Sequence, residues 1–121
     1  MIWCFTVSGR CTPCPRPRVA RGKRAYFPKR YTDWLERAQV EALSECGRPL
    51  WDGPVELSVW FCGARANADI DNLLKSVLDA IQGILIVDDK QVRVVHAWKE
   101  SADGEQPTTS IEVSAFRDGG E

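Results

Sequence analysis

Residues 55–81 read V-E-L-S-V-W-F-C-G-A-R-A-N-A-D-I-D-N-L-L-K-S-V-L-D-A-I. The first eight alternate: Val55, Leu57, Val59 and Phe61 fall on one side of the chain, Glu56 and Ser58 on the other, the period of a half-buried strand. After Asp71 the period changes. Leu73, Leu74, Val77, Leu78 and Ile81 follow the i, i+3, i+4 rule of an amphipathic helix, which Gly83 closes.

Working outward, residues 2–7 (I-W-C-F-T-V) are β-branched and aromatic and predict a first strand. A second helix is expected to open at Thr32, with Thr32 or Asp33 as its cap. Trp34, Leu35, Ala38, Ala42 and Leu43 recur on its face, and Gly47 and Pro49 stop it. Ile84 to Val87 is a short apolar run. Residues 92–99 and 110–116 read as two more strands, joined as a hairpin through Gly104 and Pro107. The order β-α-β-α-β-β predicts an α+β two-layer domain, a mixed sheet covered by two helices. Residues 1–121 form one domain, with a basic loop over 8–31 and a polar tail over 117–121. Trp3, Trp34, Trp60 and Trp98 read as core, and Trp51 as core or surface platform. Tyr26 and Phe27, in the basic loop, are candidates for stacking on an unpaired base.

The 121 residues are 44% hydrophobic and 27% charged, an ordinary globular balance. No apolar run reaches the ~20 residues of a membrane span, and M-I-W-C-F-T-V lacks the form of a signal peptide, so a cytoplasmic location is expected. The five cysteines are then reduced. C-T-P-C at 11–14 has the spacing of a zinc half-site or redox pair, but no second pair completes four ligands.

The net charge of −1 hides an asymmetry. Residues 1–31 carry Arg10, Arg16, Arg18, Arg21, Lys23, Arg24, Lys29 and Arg30 and no acid, a charge of +8; the remainder holds the other 8 basic groups and all 17 acids, a charge of −9. A segment of that sign suits an anionic partner, nucleic acid being the commonest, or is a solvated loop that offsets the acidic remainder.

Asp69 and Asp71 flank Ile70 at the mouth of the 71–81 helix. In extended backbone both carboxylates face one point while Ile70 is buried. Asp71 is also placed to cap the helix. A second pair, Asp88 and Asp89, follows the helix, and the short connection lets it fold back on the first. Four converging carboxylates repel one another unless a cation holds them, and Mg²⁺, a hard ion that takes oxygen ligands, suits that role. Lys75 lies one turn beyond Asp71, as a surface pair or as a cation beside a scissile phosphate. Asp79, a turn further, reads as a salt-bridge partner of Lys75.

D-I-D-N-L-L-K-S-V-L-D-A-I followed by V-D-D-K-Q-V resembles the signature of the RusA family of Holliday-junction resolvases. P-R-P-R at 15–18 and A-Y-F-P-K-R-Y-T-D-W at 25–34 resemble its N-terminal pattern. The likeness covers most of residues 9–99. Ala68 stands where relatives often carry proline, and Cys11 and Cys14 where they more often carry polar residues or proline. The resemblance implies a Mg²⁺-dependent endonuclease, with Mn²⁺ as a substitute, that cuts four-way DNA junctions as a cytoplasmic homodimer and leaves 5′-phosphate and 3′-hydroxyl ends. It implies that Asp69, Asp71 and Asp89 hold the metal, with Asp88 as a further candidate ligand, and that Lys75 is catalytic. The segment bearing Arg16, Arg18, Arg21, Lys23, Arg24, Lys29 and Arg30 is expected to grip the DNA backbone. The rival readings are a DNA-binding module without catalysis, a small zinc or redox protein built on Cys11 and Cys14, and a metal-dependent phosphatase or nucleotide hydrolase using the same acids.

Overall fold

A computed structural model describes residues 1–15, 18–19 and 25–117, with only the backbone described for 18, 19, 25 and 26. Its elements are β1 (Ile2–Ser8), β2 (Arg18–Val19), β3 (Ala25–Tyr26), α1 (Lys29–Cys46), β4 (Val55–Cys62), α2 (Ile70–Ile81), β5 (Val92–Glu100) and β6 (Thr108–Ala115). A single 3₁₀ turn, Asp89–Gln91, leads into β5. The fold is the expected α+β arrangement: a four-stranded mixed sheet with two helices. β2 and β3 add a small antiparallel ribbon inside the basic loop.

The sheet order is β1-β6-β4-β5. β6 runs antiparallel to both β1 and β4, while β5 lies parallel to β4. The expected hairpin of the last two strands is therefore wrong, because β4 lies between them. Residues 101–107 cross the end of β4 at Gly63, whose N–H donates to Glu100 O at 2.8 Å. Gly63 sits at φ +86°, and a Cβ there would meet Pro107 Cβ at 2.8 Å. Its lack of a side chain lets the crossing close.

One face of the sheet carries the core. Val55, Leu57, Val59 and Phe61 of β4 are fully buried, with Phe5, Val7, Ile111 and Val113 beside them. α2 contributes Leu73, Val77, Ala80 and Ile81, joined by the fully buried Ser76. The run after α2 completes this layer: Leu85 and Ile86 are buried, and Leu50 and Trp51 donate backbone N–H groups to Ile84 and Leu85. α1 contributes Tyr31, Trp34, Ala38 and Ala42.

α1 starts three residues before the expected Thr32. Pro28 is the N-cap, no side chain caps it, and Thr32 Oγ1 donates back to Lys29 O at 3.0 Å. Thr-Asp resembles a start signal, but here a buried tyrosine in the first turn extends the apolar stripe and the helix with it. Leu43 is 45% exposed and lies off that stripe.

Among the described residues no helix covers the opposite sheet face. Trp60 and Trp98 stack there at 5.0 Å, and His96 pairs with Glu56 at 2.7 Å. Trp98 is 43% exposed, so the expectation of a core residue fails for it. Trp51 packs on Trp3 and is half-buried. No described helix is long and apolar enough to cross a membrane.

Candidate active site

β4 ends at Cys62, and after seven intervening residues α2 begins at Ile70. Asp69 is the N-cap of α2, with extended backbone and no cap hydrogen bond from its side chain. Asp71 lies in the first turn instead of capping, and among the described residues its Oδ1 accepts only the neighbouring N–H of Asn72, at 3.0 Å. Both acids are exposed, so most of their oxygen lone pairs face solvent at the positive end of a helix. Ile70 between them is 40% exposed, not buried as expected, because it lies on the outer flank of the first helical turn.

The turn that carries Asp69 is fastened by Lys99. Its Nζ donates to Ala66 O at 3.0 Å and to Ala68 O at 2.7 Å. Lys99 was not singled out in the sequence; it reads there as one more strand residue, and only the fold brings it to this turn. Lys75 is exposed one turn beyond Asp71. Among the described residues it forms no ion pair with Asp79, which instead accepts the Tyr31 hydroxyl at 2.5 Å and lies 3.8 Å from Cys14 Sγ. Burial, aided by that bond to the Asp79 carboxylate, pushes the Tyr31 hydroxyl pKa well up. The latch ties both helices to the base of the basic arm. Ser76 reinforces it by donating to Thr12 O at 2.6 Å.

Beside Asp69 runs a groove of about 400 Å³, lined by Arg10, Arg30, Arg65, Asn67 and Ala68 among others. Three guanidinium groups suit the phosphates of a nucleic-acid strand. Of these only Arg30 stood among the expected DNA contacts; Arg65 lies outside the basic segment, on the turn before the aspartates. Lys29 instead pairs with Asp33 at 2.7 Å, which raises its pKa. Arg18 is placed on β2 by its backbone, and Arg16, Arg21, Lys23 and Arg24 lie outside the described residues. Tyr26 has no described side chain, and Phe27 packs on Tyr31 at 5.4 Å.

The second acid pair sits elsewhere. Asp88 caps the 3₁₀ turn, its Oδ1 accepting Lys90 N–H at 2.8 Å. Gln91 locks the same turn. Its Oε1 accepts the N–H groups of Val87 and Asp88, and its Nε2 donates to Trp51 O and Gly53 O, all within 2.9 Å. Sequence reading assigned Gln91 nothing, although it stands in the quoted V-D-D-K-Q-V. Asp89 is exposed, and its N–H donates to Gln82 Oε1 at 3.2 Å. Gln82 is the C-cap of α2, whereas Asp69 is its N-cap, and the 12 residues between span about 18 Å. Asp89 therefore does not fold back onto Asp69 and Asp71 within one chain. Among the described residues no three acidic, thiol or imidazole groups gather to hold a metal ion.

Cys11 and Cys14 are both buried. Burial pushes the Cys11 thiol up to about 12, so at neutral pH it is a neutral thiol, a poor metal ligand and a poor nucleophile. Packing at the base of the arm accounts for both residues.

No curated protein matches the chain. The family model described as Endodeoxyribonuclease RusA matches residues 8–114 of the 121. That span takes in Asp69, Asp71, Lys75 and the Asp88–Gln91 turn together, and the chain belongs to the RusA endodeoxyribonuclease family, whose membership implies endonuclease activity on Holliday junctions.

Proposed function

We propose that the protein is a Mg²⁺-dependent endonuclease that resolves four-way DNA junctions by paired symmetric nicks, acting as a cytoplasmic homodimer in recombination and repair. The observation that carries this reading is the pair of exposed carboxylates, Asp69 and Asp71, beside an arginine-lined groove. Neither acid has a cationic partner among the described residues, and carboxylate oxygens facing water are what a hard divalent ion takes. The donor set fits Mg²⁺, which needs only a few carboxylates and keeps several waters. When bound, Mg²⁺ supplies Lewis-acid chemistry that activates water and offsets charge on the phosphate, and Mn²⁺ can substitute.

The chain's own residues do the rest. Arg10, Arg30 and Arg65 hold the backbone of one strand along the groove. Lys75, a turn beyond Asp71, offers its ammonium to the charge that develops on the phosphate. Asp89, tied to the opposite end of α2 from the first pair in its own chain, serves as a ligand only if a second copy brings it in. Two copies related by a two-fold axis match a junction that must be cut twice.

Asp71→Asn tests the assignment. It keeps the side chain's size and an acceptor for the Asn72 N–H but removes the charge. Junction affinity is expected to hold within about three-fold while cleavage in Mg²⁺ falls by at least ~100-fold. Cleavage at the parent rate would show that Asp71 has no part in the chemistry.

A further inference from the structure

We infer that Ser76 is a positioning residue for the cleavage step, and that residues 10–14 form a strap through which a DNA strand held in the arginine-lined groove sets the placement of Asp71 and Lys75. This deepens the reading of the site given above and rests on it.

The strap lies between the groove and α2. Arg10, Cys11, Thr12 and Pro13 line the groove on one side. On the other side the same segment is bonded to α2: Ser76 Oγ donates to Thr12 O at 2.6 Å, and Cys14 N–H donates to Asn72 O at 2.9 Å. Another of the groove's arginines is tied to the same helix face. Arg30 adjoins Tyr31, whose hydroxyl donates to Asp79 at 2.5 Å. Cys14 Sγ approaches that carboxylate at 3.8 Å, so Asp79 meets both segments.

Successive residues of an α-helix are about 100° apart, so Asn72, Ser76 and Asp79 form one row along α2, and Asp71 and Lys75 form the next. The first row is bonded to the strap and to Tyr31, while Asp71 and Lys75 are exposed. Behind them Leu73, Val77, Ala80 and Ile81 hold α2 to the core. Apolar contact is non-directional and lets a helix turn slightly about its axis. A turn of about 20° moves a side-chain end ~6 Å from the axis by about 2 Å. Misplacement by about 1 Å costs up to ~100-fold in rate. Hydrogen bonds are directional, and the two from α2 to the strap oppose such a turn.

The hydroxyl at position 76 gives this join its register. Ser76 is fully buried, at a helix position where alanine is the better helix former and asks for no partner. A buried hydroxyl is costly unless it is bonded. Asn72 O, one turn back, is 3.3 Å away and already takes the Cys14 N–H. The single proton serves the shorter contact, to Thr12 O, and that contact exists only while strap and helix keep this alignment. A strand that draws its phosphates onto Arg10 and Arg30 therefore loads the helix row beside Asp71 and Lys75. Binding and the geometry of the chemistry are joined by one short segment.

Two measurements test this. The first is a double-mutant cycle of Ser76→Ala and Arg10→Ala, with junction Kd and the single-turnover cleavage rate in Mg²⁺ read separately. Ser76→Ala should keep Kd within about two-fold and slow cleavage about ten-fold, and Arg10→Ala should weaken binding and slow cleavage about five-fold each. The double variant should cleave no more than about 15-fold slower than the parent, because both changes break one link. Cleavage losses that multiply to about 50-fold would overturn the positioning role. So would a Ser76→Ala protein that cleaves within about two-fold of the parent, or whose defect lies in Kd. In the second measurement, alkylation of the cysteines by iodoacetamide is followed in EDTA, with and without junction, and located by peptide mass. Cys14 is buried, so its thiol reacts only when the strap lifts off α2. Bound junction should slow Cys14 at least about five-fold in the parent and less than about two-fold in Ser76→Ala, while exposed Cys4 labels at an unchanged rate. Protection of Cys14 that is absent from the parent, matched at Cys4, or undiminished in Ser76→Ala would overturn the link. If the parent protein binds junctions but cuts none, the nuclease reading has failed, and the labelling result still decides whether bound DNA holds the strap.

Discussion

Replacing Gln91 with glutamate changes one NH₂ group to oxygen and tests how the Asp88–Asp89 turn is held. The Gln91 amide makes four hydrogen bonds. Its Oε1 accepts from Val87 N at 2.9 Å and Asp88 N at 2.8 Å, and its Nε2 donates to Trp51 O at 2.7 Å and Gly53 O at 2.8 Å. Glutamate keeps the first two and turns the second two into contacts between oxygens. Losing two hydrogen bonds at about 1 kcal/mol each, setting a carboxylate oxygen against the carbonyls of Trp51 and Gly53, and leaving Trp51 O with only the Val87 N–H at 3.3 Å gives an expected cost of about 3 kcal/mol at pH 7. With a urea dependence near 1.5 kcal/mol per molar, the unfolding midpoint falls by about 2 M. The pH sign is distinctive. The folded state favours the protonated glutamic acid, which regains one donor, so the carboxyl's folded pKa lies above its unfolded value. The variant's stability is then best preserved in acid and is lost as pH rises through that folded pKa. Urea titrations at pH 4.5 and pH 7, each against the parent, read both effects. A midpoint within about 0.3 M of the parent at pH 7, or a deficit that does not shrink in acid, would refute the reasoning.

Further outcomes follow from the same contacts. Tyr31→Phe keeps the buried ring but removes the donor to Asp79, and should cost about 1.5–3 kcal/mol by urea unfolding; a loss under about 0.5 kcal/mol would deny the latch. Lys99→Met keeps the stem but frees the Ala66 and Ala68 carbonyls, and is expected to slow junction cleavage about ten-fold through misplacement of Asp69, with junction affinity little changed. Cleavage within two-fold of the parent would remove Lys99 as a positioning residue. The raised pKa of the Cys11 thiol predicts a loss of stability at alkaline pH: the unfolded thiol ionises from about 9 while the folded one holds its proton to about 12. Stability should fall by up to about 1.4 kcal/mol per pH unit across that window, and Cys11→Ala should flatten the slope.

Local pattern made much of this protein legible without coordinates. Alternation marked β4, the 3.6-residue period marked α2, and the composition shift marked the basic arm, because each depends on neighbours a few residues apart. The chemistry-bearing block was legible for the same reason: Asp69, Asp71 and Lys75 lie within two turns of one helix terminus. Strand order was not. Whether residues 92–100 pair with β4 or with β6 depends on which edge the chain reaches after α2, and on a glycine at 63 that lets the 101–107 crossing pass. Tertiary placement also decided partners that no spacing announces: Asp79 with Tyr31 and not Lys75, Lys99 under the turn of Asp69, and Gln91 between two loops. The separation of Asp89 from Asp69 belongs to the same class. Sequence sets both acids on either side of one helix, but only the parallel packing of β5 on β4 holds them at its opposite ends, because a helix and a strand are stiff rods that keep their termini apart.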